Sequence, residues 1–153
     1  MAVMGILLFW ADRVGKKNED AERIDYLRAF GIGVAQAAAL IPGVSRSGAT
    51  ITVGLLFGYD RESIARFSFL LSTPIIFGAG LVKIPHLMVE MHAGQSTVTP
   101  AALAAGVIAA AVTGFIAVRF MLAWLKTNTY LAFAGYRVLV AVGIVALWAA
   151  GKR

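Results

Sequence analysis

Arg46 stands near the centre of an otherwise uncharged apolar run, Ala29 to Phe57, with three hydroxyls close by in the stretch Pro42-Gly43-Val44-Ser45-Arg46-Ser47-Gly48-Ala49-Thr50. An arginine at membrane depth is costly, so its presence there marks a functional site. Pro42 has no amide hydrogen and Gly43 adopts backbone angles closed to other residues, so together they end one helix. A second helix can then start at Ser45 or Ser47, both good caps. Its first amides have no partner within the helix and carry the positive end of the dipole, which makes a ready anion site. Arg46 adds a planar fork that matches two phosphate oxygens, and Thr50, one turn along, can turn its hydroxyl the same way. Phosphate is the ligand this chemistry fits. The rival reading, in which Arg46 snorkels to an interface and Pro-Gly only kinks a span, fits less well because the headgroups are far from the middle of the run.

The elements that position these groups are membrane helices. The 153 residues are 59% hydrophobic and only 14% charged, against roughly 25% charged in a soluble domain, and the mean hydropathy is +0.79. The fold class expected is an all-α integral membrane protein, a polytopic helical bundle. The net charge of +6 comes from basic residues gathered in short loops, with no continuous basic face. The partner expected is therefore a lipid bilayer and not nucleic acid. The absence of cysteine excludes disulfides, thiolate chemistry and cysteine-ligated zinc.

Met1 to Ala11 is apolar but well short of the roughly 20 residues a spanning helix needs, and it reads as the end of a truncated span. Residues 12–28 form a polar loop or surface helix. Residues 29–57 are long enough for one span, but the motif breaks them into halves too short to cross alone, which predicts a re-entrant hairpin. Spans are expected at 64–82, 100–120 and 131–150, with a loop from Lys83 to Thr99 that carries His86 and His92. A re-entrant hairpin puts Arg13, Lys16, Lys17, Arg23, Arg28, Arg61, Arg66, Arg119 and Lys126 on one side and only Lys83, Lys152 and Arg153 on the other. A full span at 29–57 weakens that asymmetry, so the hairpin is preferred, with the carboxyl terminus outside.

Gly33 to Ile41 (GVAQAAALI) running into PGVSRSGAT resembles the second signature of the bacitracin-resistance family of undecaprenyl-diphosphate phosphatases. FSFLLSTPIIFGAG (Phe67 to Gly80) and FAGYR (Phe133 to Arg137) resemble the carboxyl-terminal half of that family. The resemblance implies a multi-pass enzyme of the bacterial inner membrane. Such enzymes remove one phosphate from a C55 isoprenoid diphosphate, which regenerates the lipid carrier of peptidoglycan synthesis and confers bacitracin resistance. It further implies that Arg46 and Ser45 act in catalysis, and that Gln36, Gly43, Ser45, Arg46, Ser47, Gly48 and Thr50 bind the substrate. A divalent cation, Mg or Ca, is expected by the same resemblance, with its ligands outside this chain.

The chain departs from the family pattern in lacking a first half with its own hairpin, a Glu/Gln-x-x-x-Glu motif and a Ser-Ser-Gly-His segment. All eight acidic residues, Asp12, Glu19, Asp20, Glu22, Asp25, Asp60, Glu62 and Glu90, fall in polar segments, which leaves no general acid, base or metal ligand beside Arg46. His86 and His92 read as surface residues. Arg137, beside Tyr136 in the last span, is a second charge at depth that either contacts phosphate or locks helices through backbone carbonyls, the latter being favoured. The family architecture is a pair of inverted halves, and this chain is expected to be one truncated half. A homodimer of opposed copies is the alternative, and the loop charge bias argues against it. A lipid-phosphate transporter or flippase-like protein without hydrolysis is the competing function. A scaffold packing through Gly54-Leu55-Leu56-Phe57-Gly58 is a weaker third.

Overall fold

A computed structural model describes residues 2–21, 24–93 and 98–150. Arg23, Lys152 and Arg153, which the charge pattern uses, lie outside the described residues. The helices are α1 (Ala2–Val14), α2 (Tyr26–Ala37), α3 (Arg46–Leu56), α4 (Arg61–His92), α5 (Pro100–Leu125) and α6 (Leu131–Ala150), with a 3₁₀ turn at Ala38–Leu40. Among the described residues no strand forms, and the one extended pairing is an isolated bridge between Glu19 and Tyr59.

Local chemistry sets the helix starts. Asp25 caps α2 by accepting the Arg28 amide at 2.8 Å. Asp60 accepts the amides of Glu62 and Ser63, both at 3.0 Å, at the start of α4. Thr99 takes the Ala102 amide at 3.2 Å ahead of Pro100, whose missing amide costs nothing in a first turn. At the far end of α3, Gly58 takes φ 96°, the left-handed conformation that stops a helix.

The chain forms two compact units, residues 1–69 with 125–153 and residues 70–124. In the first, α1 packs against α3 and α6, and α2 against α3. A Cβ on Gly5 would meet the Ala134 carbonyl and Val138, while Asp12 meets Tyr130, so α1 and α6 run antiparallel. Gly15 lies so close to the Leu55 carbonyl that a Cβ there would sit 2.3 Å from it. The buried core of this unit includes Ile32, Ile51, Leu55, Tyr59, Ile64 and Tyr130.

The second unit holds most of α5 and the later part of α4. Three helices, Arg61–His92, Pro100–Leu125 and Leu131–Ala149, are long and apolar enough to cross a membrane. Apart from Arg119 near its end, α5 is apolar on all sides, as a helix in lipid can be. The expected loop from Lys83 is corrected: α4 continues to His92, through Pro74 and Pro85. Hydropathy marks where a chain leaves the apolar layer, not where its helix ends. Each proline removes one intrahelical bond, which a long helix tolerates.

Candidate functional site

The central motif sits at the bend of a helical hairpin. α2 and α3 pack on each other, and a Cβ on Gly31 would lie 3.2 Å from the Phe57 ring, so the entry and exit of the hairpin are neighbours. The amides of Asn18 and Glu19 donate to the Gly58 carbonyl at 3.0 and 3.2 Å, which ties the exit to the loop that leads into α2. At the bend, the Ile41 amide donates to the Ala38 carbonyl and the Val44 amide to the Ile41 carbonyl, both at 3.1 Å. Gly43 takes φ 87°, which a side chain would strain.

α3 starts one residue after its cap. Ser45 is extended, at φ −82° and ψ 129°, and its Oγ accepts the Gly48 amide at 3.2 Å. That bond leaves the Ser45 hydroxyl hydrogen available, and Ser47 Oγ lies 3.5 Å away. The amides of Arg46 and Ser47, as the first of the helix, have no intrahelical acceptor. Arg46 Nη1 is buried with no hydrogen-bond partner, and so is Gln36 Oε1 on α2. A buried donor left unpaired costs about 1–3 kcal/mol, more for a charged group.

Thr50 departs from expectation. It is fully buried, with Oγ1 bonded to the Arg46 and Ser47 carbonyls at 3.1 and 3.2 Å and to Ser68 Oγ on α4 at 2.6 Å. Its hydroxyl therefore faces into the protein and ties the first turn of α3 to α4. At position 50 the helix has rotated the side chain away from the loop side, toward the packed face shared with Ile51 and Gly54, where Gly54 adjoins Ile64.

Arg137 joins the site from α6. A Cβ on Gly48 would lie 2.8 Å from Arg137 Nη1 and 3.3 Å from Ser45 Oγ, so the Arg137 guanidinium rests on the first turn of α3. Its charge within an apolar helix was visible in the sequence. Its neighbour was not, because the contact joins residues far apart in the chain.

A polar knot fixes α6 at the other end. Arg61 grips the Asp12 carboxylate through Nε at 2.6 Å and Nη2 at 3.3 Å. The Tyr130 amide donates to Asp12 Oδ2 at 3.3 Å, the Tyr130 hydroxyl donates to the Arg61 carbonyl at 2.9 Å, and Lys17 donates to the Asp12 carbonyl. Burial, reinforced by the Asp12 carboxylate, holds the Tyr130 phenol well above its ordinary range. The ends of α1, α4 and α6 are thus locked together, which sets the register that brings Arg137 to Gly48.

The family described as Bacitracin resistance protein BacA matches residues 1–143. The chain belongs to this family. An undecaprenyl-diphosphatase of Moorella thermoacetica is 47% identical over 148 residues, covering 97% of this chain and 54% of that protein. One from Rubrobacter xylanophilus is also 47% identical, covering 96% and 53%. One from Mycobacterium leprae is 43% identical over 149 residues, covering 97% and 52%. The chain thus spans about half the length of these BacA relatives, and with three long apolar helices it is a multi-pass membrane protein.

Among the described residues no three His, Cys, Asp or Glu converge where they could hold an ion. The motif offers hydroxyls, amides and guanidinium groups, which suit an anion and not a hard dication. His86 and His92 are both exposed on α4, with His92 Nδ1 beside the Met88 carbonyl at 2.7 Å.

Proposed function

We propose that the chain supplies the diphosphate-binding half of an undecaprenyl-diphosphatase of the bacterial inner membrane, and that its α2–α3 hairpin is re-entrant, one of two inverted halves. The carrying observation is the buried, unpartnered Arg46 Nη1 at the amide end of α3. The lengths agree with re-entry. α3 has 11 residues, about 16 Å at 1.5 Å per residue, so with Gly58 at the polar interface Arg46 lies near the middle of a hydrocarbon layer about 30 Å thick. α2, with 12 residues, is equally too short to cross.

The reaction is hydrolysis: water attacks the terminal phosphorus, the bond to the bridging oxygen breaks, and undecaprenyl phosphate and inorganic phosphate leave. Charge grows on the bridging and equatorial oxygens in the transition state. Arg46 and the first amides of α3 donate to those oxygens, already aimed and out of bulk water. The Ser45 hydroxyl, its oxygen held by the Gly48 amide, donates its hydrogen to a phosphate oxygen, and Ser47 lines the same edge. Gln36 positions a phosphate oxygen or the water from α2. The proton acceptor, and the carboxylates for a magnesium or calcium ion, are assigned to the portion of the relatives that this chain does not match.

Phosphate release from labelled undecaprenyl diphosphate tests the reading, with the chain combined with that unmatched portion of the Moorella thermoacetica relative. Release that disappears in Arg46→Ala and stays low in Arg46→Lys is expected, since an ammonium lacks the fork. Full release by either variant contradicts the mechanism, and transfer of intact lipid across the bilayer without release favours a flippase.

A further inference from the structure

We propose that Arg137 is a second phosphate-binding cation of this site, and that residue 48 is glycine so that the Arg137 guanidinium can lie on the first turn of α3. The proposal rests on the diphosphate reading above and adds to it the residue that sets preference for a diphosphate over a monophosphate.

The placement of Arg137 is the wrong one for a cation that only stabilises helices. Cations favour the carboxyl end of a helix, where carbonyls face outward, and they are repelled by the amide end. Arg137 Nη1 instead lies at the amide end of α3, 2.8 Å from where a Cβ on Gly48 would stand. Among the described residues no carboxylate forms an ion pair with it and no carbonyl accepts from it. Helix locking through carbonyls, the reading favoured from sequence, therefore has no acceptor. Arg137 thus lies against the first turn of α3, the turn that begins with Arg46, and an anion there offsets the unfavourable field of the amide end.

Gly48 is the second part of the device. It is helical, so no unusual backbone angle demands glycine there. A Cβ at 2.8 Å from a guanidinium nitrogen and 3.1 Å from Ser45 Cβ forces one of them to move, and the longer side chain is the one that can. A methyl at 48 would thus push Arg137 off the site while leaving its charge in the protein. A diphosphate presents two phosphoryl groups to two forks, whereas a monophosphate presents one. Removing Arg137 accordingly weakens the first ligand more than the second.

The test uses the full chain in detergent micelles, with equilibrium binding of labelled farnesyl diphosphate and farnesyl monophosphate as probes. Arg137→Gln is expected to weaken diphosphate binding about 10- to 100-fold and monophosphate binding far less, with an unchanged unfolding midpoint. Arg137→Lys recovers only part of the loss. Gly48→Ala mimics Arg137→Gln, and adds little in the Arg137→Gln background because both act through one group. Gly78→Ala, where nothing lies within 4 Å of the new methyl, serves as the control and binds like the unsubstituted chain. If Arg137→Gln binds diphosphate normally, or loses both probes equally, while Arg46→Ala loses binding, this proposal falls and the phosphate site stands. An undiminished Gly48→Ala cost in the Arg137→Gln background overturns the role given to the glycine. No binding by the unsubstituted chain overturns both readings.

Discussion

Replacing Asp12 with Ala leaves the Arg61 guanidinium without its two oxygens at 2.6 and 3.3 Å and the Tyr130 amide without its acceptor. Breaking a buried ion pair from one side costs about 3–5 kcal/mol, because the remaining charge has lost its partner. Here the Asp12 side chain is only 7% exposed but that of Arg61 is 25% exposed, so water reaches the orphaned cation and the cost falls below that range, to about 2–3 kcal/mol. The stranded Tyr130 amide adds about 1 kcal/mol. The sum, about 3–4 kcal/mol, is a large share of the 5–15 kcal/mol that holds a typical domain. Unfolding by SDS in mixed micelles, followed by circular dichroism, measures it. The double variant Asp12→Leu/Arg61→Leu should lose less than Asp12→Ala alone, since no charge is left unpaired. An Asp12→Ala chain within about 0.5 kcal/mol of the unsubstituted one, or a double variant that simply sums the single costs, would refute the role given to this knot.

Tyr130 ties the same knot to pH. Its folded pKa is raised, first by burial and then by Asp12, so its contribution is whole below the unfolded value of about 10 and is lost as pH climbs from there toward the folded value. Unfolding free energy should fall above about pH 10, and Tyr130→Phe should flatten that fall while costing about 1 kcal/mol at neutral pH; identical slopes in the two proteins contradict this. Thr50→Val should lower stability by about 1–2 kcal/mol through its buried bonds yet keep farnesyl diphosphate affinity, and an affinity loss like that of Arg46→Ala would show that its hydroxyl faces the ligand. Gly43→Ala should cost about 1–2 kcal/mol because φ there is 87°, and a neutral result would mean the bend relaxes.

The bend and cap were legible because their chemistry is local. Pro42 and Gly43 stand together, with Gly43 at positive φ, in the turn between the two helices, and Ser45 starts the second by accepting an amide three residues on. The phosphate proposed as ligand was read from the same local chemistry, an arginine beside the first amides of a helix in an apolar run. Thr50 was misplaced because one turn of spacing fixes the side of a helix only when the packed face is known, and Ser68 is what defines that face. The Gly48–Arg137 contact and the pairing of Asp12 with Arg61 join residues far apart in sequence, and both charged partners of the knot lie in stretches that read as solvated loop. The run of α4 through Lys83–His92 was hidden by its charges and Pro85, which mark polarity and one missing amide without ending a helix.

The affinity of the full chain in lipid nanodiscs for undecaprenyl diphosphate, with and without Arg46, bears most directly on the central claim that the Arg46 guanidinium, with its buried Nη1 unpartnered at the hairpin bend, holds a lipid diphosphate. A loss of about 100-fold in Arg46→Ala, only partly recovered in Arg46→Lys, is the result predicted. Equal affinity in the unsubstituted chain and Arg46→Ala would contradict it.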